Sequence, residues 1–171
     1  MSSNSHAQLC GSRYVVRQQL YTVHQNFEVH DASGSSIFSA HGNALRVMDK
    51  LDLKDASGKP VLEIRQRPGA RPKVEVVSNG RKILSIGERR VGLRDHFVID
   101  TPLPAKFDIV GNAWSTSYTI TINGDPAAQV MMEPGLAKAD TYHVVVGKGR
   151  GPRILFGLIL AIDILTHKGK R

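Results

Sequence analysis

The feature that most constrains this chain is its last apolar run, Ile154-Leu-Phe-Gly-Leu-Ile-Leu-Ala-Ile162, followed by Asp163, Ile164 and Leu165. It falls well short of the roughly 20 residues a bilayer-spanning helix needs. Its length and its Leu/Ile/Ala content predict a helix of about three to four turns. Pro152 stands where such a helix starts and Gly169 just past its end. The run is apolar all round, so the helix must be buried on every side. The rest of the chain has to wrap it.

What precedes the run reads as short strands. Candidate segments are Arg13–Gln18, Asn26–His30, Ser36–Ala40, one or two strands through Leu45, Val47, Leu51 and Leu53, and Val61–Arg65. Lys73–Val77, Arg81–Ile86, Val91–Leu93, His96–Asp100, Ala105–Val110, Ser117–Ile122, Ala127–Met132 and Thr141–Val146 follow. Asp31-Ala-Ser-Gly34 recurs as Asp55-Ala-Ser-Gly58. In each, Asp can bond a backbone N–H and Gly can take the left-handed conformation, so two hairpins of the same build are predicted. Asn79-Gly80 is a strong two-residue hairpin signal. About a dozen short, evenly spaced strands suit an antiparallel barrel or a sandwich. The helix decides between them, because a helix lying outside a sandwich would show a polar face. The expected fold is mainly β: about twelve antiparallel strands closed around a buried C-terminal helix.

Composition limits the partners. The 171 residues suit one domain, and 41% apolar content supports a true core. A net charge of +8 fits an anionic partner or simply a basic surface. One cysteine, Cys10, allows neither an intramolecular disulfide nor a cysteine-based zinc cluster. The first residues lack signal-peptide character. A cytoplasmic monomer without a transmembrane span is therefore expected, any membrane contact being peripheral. The expected division is a polar tail over 1–11, one domain over 12–166 and a basic tail over 167–171.

Two basic groups are candidate sites. Residues 63–94 hold nine Lys/Arg against three Glu, a net of +6. Arg65, Arg67, Arg71, Lys73, Arg81 and Lys82 lie on adjacent predicted strands around the turns at 68–72 and 79–80. Folded into one patch they would suit phosphoinositides or acidic lipid. No aromatic residues interleave with them, which argues against nucleic acid. Gly147-Lys-Gly-Arg-Gly151 sits between a strand and the helix, and Lys148, Arg150 and Arg153 add charge near the helix N-terminus. A dinucleotide site fails because Pro152 takes the third glycine position and no βαβ unit can follow. A P-loop fails for want of Gly-Lys-Ser/Thr.

Catalytic chemistry finds no foothold. The seven histidines form neither His-Glu-x-x-His nor His-x-His, and no Gly-x-Ser-x-Gly occurs. No metal or cofactor is expected. Asp163 is the oddest residue: a charge in an apolar helix needs a structural partner. Trp114 and Tyr118 are expected in the core.

Several segments in this order resemble the LURP-one-related family of the Tubby C-terminal-like and phospholipid scramblase superfamily. They are Arg13-Tyr-Val-Val-Arg-Gln, Asn26-Phe-Glu-Val with Asp31-Ala-Ser-Gly34, Asp49-Lys-Leu-Asp-Leu with Asp55-Ala-Ser-Gly58, Gly111-Asn-Ala-Trp114 with Tyr118-Thr-Ile, Thr141-Tyr-His-Val-Val-Val, and Leu160-Ala-Ile-Asp163. The resemblance covers about residues 12–166. It implies a twelve-stranded barrel around a hydrophobic C-terminal helix. It also implies, through the Tubby proteins, phosphoinositide binding by basic surface residues. The acidic calcium-binding stretch of scramblases is replaced here by the basic Gly147–Pro152. The functional expectation is a non-catalytic barrel that binds an anionic lipid or another anionic partner. The alternative is a small-molecule-binding or enzymatic barrel using a cleft at its mouth.

Overall fold

The computed structural model describes residues 8–21, 24–42, 50–67, 69–91, 94–112, 117–135 and 140–168. Twelve strands precede one helix: β1 Gly11–Tyr21, β2 His24–Asp31, β3 Ser36–Gly42, β4 Lys50–Asp55, β5 Pro60–Arg67, β6 Lys73–Ser78, β7 Arg81–Val91, β8 Arg94–Asp100, β9 Phe107–Asn112, β10 Ser117–Ile122, β11 Asp125–Glu133, β12 Thr141–Gly147 and α1 Pro152–Lys168. All strand pairs are antiparallel and form one sheet, in the order β8-β7-β6-β5-β4-β3-β2-β1-β12-β11-β10-β9. Two meanders, β1–β8 and β9–β12, are thus joined by the β1–β12 ladder. The sheet curls into a nearly closed barrel whose edge strands are β8 and β9.

The turns form for local reasons. In the β2–β3 turn, Asp31 Oδ1 accepts the Ser33 and Ser35 backbone N–H groups at 2.9 and 3.0 Å, and Gly34 takes φ +84°. In the β4–β5 turn, Asp55 Oδ1 accepts Ser57 N and Lys59 N at 2.9 and 3.0 Å, and Gly58 takes φ +82°. The Ser33 and Ser57 hydroxyls also donate to these carboxylates, and this contact is the main cause holding both below the usual Asp range. Asn79-Gly80 and Asn123-Gly124 each place two successive residues at positive φ, as a two-residue I′ hairpin requires.

The predicted segment through Val91–Leu93 is not a separate strand up to Val91. It is the end of an eleven-residue β7. Leu45, Val47, Leu93 and Trp114 lie outside the described residues. Near the start, Leu9 N donates to Gln129 Oε1 at 3.0 Å.

The helix occupies the barrel interior. Every residue from Leu155 to Leu165 is buried. The wall meets it with inward residues such as Val16, Phe27, Leu53, Ile64, Val74, Leu84 and Ile120, all at 0% exposure. Phe156 packs edge-on against Tyr14 of β1, ring centroids 5.2 Å apart, and tilted against Phe38 of β3 at 5.8 Å. The next residue, Gly157, faces β5 and β6. A Cβ there would stand 2.9 Å from Leu62 Cδ1 and 3.1 Å from Val76 Cγ1. Glycine lets α1 lie close against β5 and β6 despite its roughly 1 kcal/mol cost in a helix interior. Each buried Leu, Ile or Phe contributes about 1.5–3 kcal/mol, and α1 brings more of them to the core than any single strand does.

Candidate functional site

Antiparallel alternation gives the barrel two rims. At the helix-start rim lie the turns at 32–35, 56–59, 79–80 and 123–124, the 101–106 connection and residues 148–151. At the helix-end rim lies the 69–72 turn. β6 carries Lys73 at the helix-end rim and leads into Arg81 at the other, about 17 Å away along the strand. The basic residues of 63–94 therefore divide. Arg65, Arg67, Arg71 and Lys73 belong to the helix-end half of β5–β6, whereas Arg81 and Lys82 belong to the helix-start rim, which they share with Lys148, Arg150 and Arg153.

The two groups differ in their partners. On the outer face of β4–β6, Arg65 Nε donates to Glu63 Oε1, and Lys50 Nζ lies 3.0 Å from Glu63 Oε2 and 3.5 Å from Asp52 Oδ1. Arg67 Nε donates to Glu75 Oε2 at 2.9 Å. This alternation of sign neutralises the middle of the predicted patch. The exposed Arg71 and Lys73 make no ion pair with another described residue.

At the helix-start rim, Arg81, Lys82, Lys148 and Arg153 are exposed and make no ion pair with another described residue. Arg81 and Lys82 are consecutive on a strand, yet both are exposed. The β6–β7 register shifts between Val76 and Val77 just inside the turn, so Lys82 pairs with Val77 and Arg81 with Ser78. Arg150 is half-buried, with its Nη2 3.9 Å from Asp125 Oδ2. Its backbone N–H donates to Gly147 O at 3.1 Å, and Gly149 at φ +73° completes that turn. The first turn of α1 contains no acidic residue, so nothing there offsets the positive end of the helix dipole. Lys59, which did not stand out in the sequence, is exposed in the turn at the same rim. Its proximity follows from strand order alone.

A second polar group lies inside, toward the helix-end rim. The Tyr142 hydroxyl donates to Asp163 Oδ1, which is the structural partner the helix carboxylate needed. Asp163 is 1% exposed. Tyr118 Oη is buried with no hydrogen-bond partner among the described residues. Burial, then the nearby Asp163 carboxylate, pushes both phenols far above their ordinary range. They stay neutral in the fold, and neither is poised as an acid or base near pH 7. Nearby, Asp140 N donates to Gln18 Oε1 at 3.4 Å and Gly135 N to Asp140 Oδ1 at 3.3 Å. Among the described residues, no three His, Cys, Asp or Glu side chains are grouped to hold a metal. No helix there is long and apolar enough to cross a membrane. The interior that a barrel enzyme would use for substrate is filled by Leu155, Phe156, Leu158 and Ile159.

The LURP-one-related sequence profile matches residues 12–163, from the start of β1 to the buried helix aspartate. The chain belongs to the LURP-one-related family. It is similar to "Uncharacterized protein YxjI" of Bacillus subtilis strain 168, at 20% identity over 153 residues, covering 89% of this chain and 92% of that protein. No solved structure matches the chain. The LURP-one-related assignment agrees with the barrel and its enclosed helix.

Proposed function

We propose that this LURP-one-related barrel is a non-catalytic module that docks on an anionic lipid surface through its helix-start rim. The observation that carries the reading is the set Arg81, Lys82, Lys148 and Arg153: exposed, without ion pairs to described residues, and gathered at one end of the barrel. Lys59 and Arg150 flank them. The neutralised ladder of Arg65 and Arg67 leaves Arg71 and Lys73, of the predicted patch, as weaker contributors at the other rim.

Each Lys or Arg near an anionic membrane contributes about 1 kcal/mol. Four give roughly 4 kcal/mol, enough for reversible, salt-sensitive adsorption. Phosphoinositide headgroups fit best, because they concentrate charge on a footprint that one barrel rim can cover. The same reading places the protein in the cytoplasm as a monomer, recovered without detergent.

Liposome flotation tests it. Vesicles containing phosphatidylserine or a phosphoinositide should carry the protein at low ionic strength and release it in high salt, and pure phosphatidylcholine should not carry it. The combined Arg81→Gln, Lys82→Gln, Lys148→Gln and Arg153→Gln variant should lose most binding. Changing Arg65 and Arg67 to Gln should cost little. Absence of binding to anionic vesicles at low salt, or a four-site variant that binds unchanged, refutes the reading.

A further inference from the structure

The chain contains two Asn-Gly pairs, Asn79-Gly80 and Asn123-Gly124, and the fold treats them differently. Each forms the tip of a hairpin at the helix-start rim, with both residues exposed and at positive φ. The pair that makes this turn so readily is also where asparagine is chemically weakest. The backbone nitrogen of the next residue can attack the side-chain amide carbon, and glycine has no Cβ to shield that nitrogen. Ring closure needs the asparagine Cγ to swing onto the nitrogen, so it proceeds when side chain and turn are free to move.

The two tips are alike in most respects. Each hairpin carries a register shift just inside its turn, between Val76 and Val77 in one and between Ile120 and Thr121 in the other. A Cβ built on Gly80 or on Gly124 meets nothing within 4 Å, so both tips stand in open space. They differ in how the asparagine is held. Asn123 Oδ1 accepts the Lys106 backbone N–H at 2.8 Å, and the Asn123 N–H donates to Lys106 O at 2.7 Å. These bonds fasten its side chain and its backbone to the 101–106 connection. The Asn79 side chain makes no hydrogen bond with another described residue.

We propose that Asn79 is a site of spontaneous deamidation, and that the carboxylate it gains beside Arg81 and Lys82 weakens the rim's hold on anionic lipid. The Gly80 nitrogen bonds to Asn79 Cγ, the Cγ–Nδ2 bond breaks, and Nδ2 leaves as ammonia with the proton lost from Gly80 N. Water then opens the five-membered ring. Cleavage between the ring nitrogen and Cγ leaves aspartate. Cleavage between the ring nitrogen and the main-chain carbonyl carbon leaves isoaspartate, with one more methylene in the backbone. Either product puts a negative charge into a rim whose exposed cations Arg81, Lys82, Lys148 and Arg153 have no ion-pair partner among the described residues. Aspartate tolerates the left-handed conformation of the turn, so that product keeps the hairpin. Isoaspartate lengthens a two-residue turn and disturbs the pairing of Arg81 with Ser78. The deamidation stands on the turn geometry alone, whereas its effect on lipid rests on the anionic-surface reading above.

Incubation of the full chain at pH 8, followed by peptide mass mapping, tests the chemistry. Asn79 should gain one mass unit on the order of tenfold faster than Asn123, because a tethered tip opens less often. In strong urea both turns are released and the two rates should converge. Equal rates in the folded chain would overturn the proposal, as would an Asn79 that stays intact while the urea-treated chain converts. Cation-exchange chromatography then separates the modified protein, which elutes earlier. On vesicles containing phosphatidylserine at low salt, this fraction and an Asn79→Asp variant should bind about fivefold more weakly than unmodified protein. Equal binding by all three would overturn the effect on lipid. If unmodified protein itself ignores the vesicles, the lipid reading fails, and fast conversion of Asn79 still upholds the deamidation.

Discussion

Raising the pH should unfold this barrel through two tyrosines. Tyr118 and Tyr142 face inward, at 6% and 4% exposure, beside the buried Asp163. Burial first, then the carboxylate, raises their folded pKa far above the ordinary value of 10.0. In the unfolded chain both phenols ionise near that value. Because the folded pKa is raised, the stabilising contribution is whole below pH 10 and is lost as pH rises above it. Each phenol that ionises only on unfolding lowers stability by about 1.4 kcal/mol per pH unit beyond 10. The pair should therefore cost about 2.8 kcal/mol at pH 11, a large share of a typical net stability of about 5–15 kcal/mol.

Urea unfolding of wild type and of the Tyr118→Phe, Tyr142→Phe double variant, from pH 8 to pH 11, isolates this effect. Because the two proteins differ at these two positions alone, the difference between their profiles reports on this pair. Tyr142→Phe removes a hydrogen bond to a carboxylate and should lower stability near pH 8 by about 1.5–3 kcal/mol. Tyr118→Phe removes a hydroxyl with no described partner and should be close to neutral. The double variant should start lower and fall less steeply with pH. Parallel losses in the two proteins, or phenolate absorbance showing both residues ionised in the folded state near pH 10, would refute the reasoning.

Two further predictions probe the enclosed helix. Leu158→Asp places an unpaired charge at a wholly buried position and should abolish folding, as should deletion of residues 153–171; a soluble variant with an unchanged thermal transition would contradict the buried helix. Gly157→Leu should destabilise the barrel by about 1–3 kcal/mol in chemical denaturation, since even a Cβ at that position stands 2.9 Å from Leu62 Cδ1; a gain in stability would mean β5 and β6 do not press on the helix as described.

Much of the architecture was legible before any coordinates because it is carried by local chemistry. Ile154–Leu165 has no polar face, so it could only be a fully enclosed helix, and the buried row from Leu155 to Leu165 is that expectation realised. Asp31, Asp55 and Asn79-Gly80 dictate their turns through contacts within a few residues, which no long-range packing has to supply. Even Glu63 and Arg65 could be placed on one face by strand alternation.

What remained beyond the sequence depends on which strands become neighbours and on which rim each strand end falls. Arg81 and Lys82 lie close in sequence to Arg71 and Lys73, yet antiparallel folding sends the two pairs to opposite rims. It brings Arg81 and Lys82 to the same end as Lys148 and Arg153, more than sixty residues later. The charge of Arg67 is cancelled by Glu75 only because β5 and β6 pair in that register. Asp163 finds Tyr142 across the interior, at a position no helical periodicity could name. The edge strands are β8 and β9 because β12 returns to β1, an outcome of barrel closure as a whole. Local residue chemistry settles turns, strands and the need for burial, whereas charge pairing, buried partners and edge strands are properties of the closed wall.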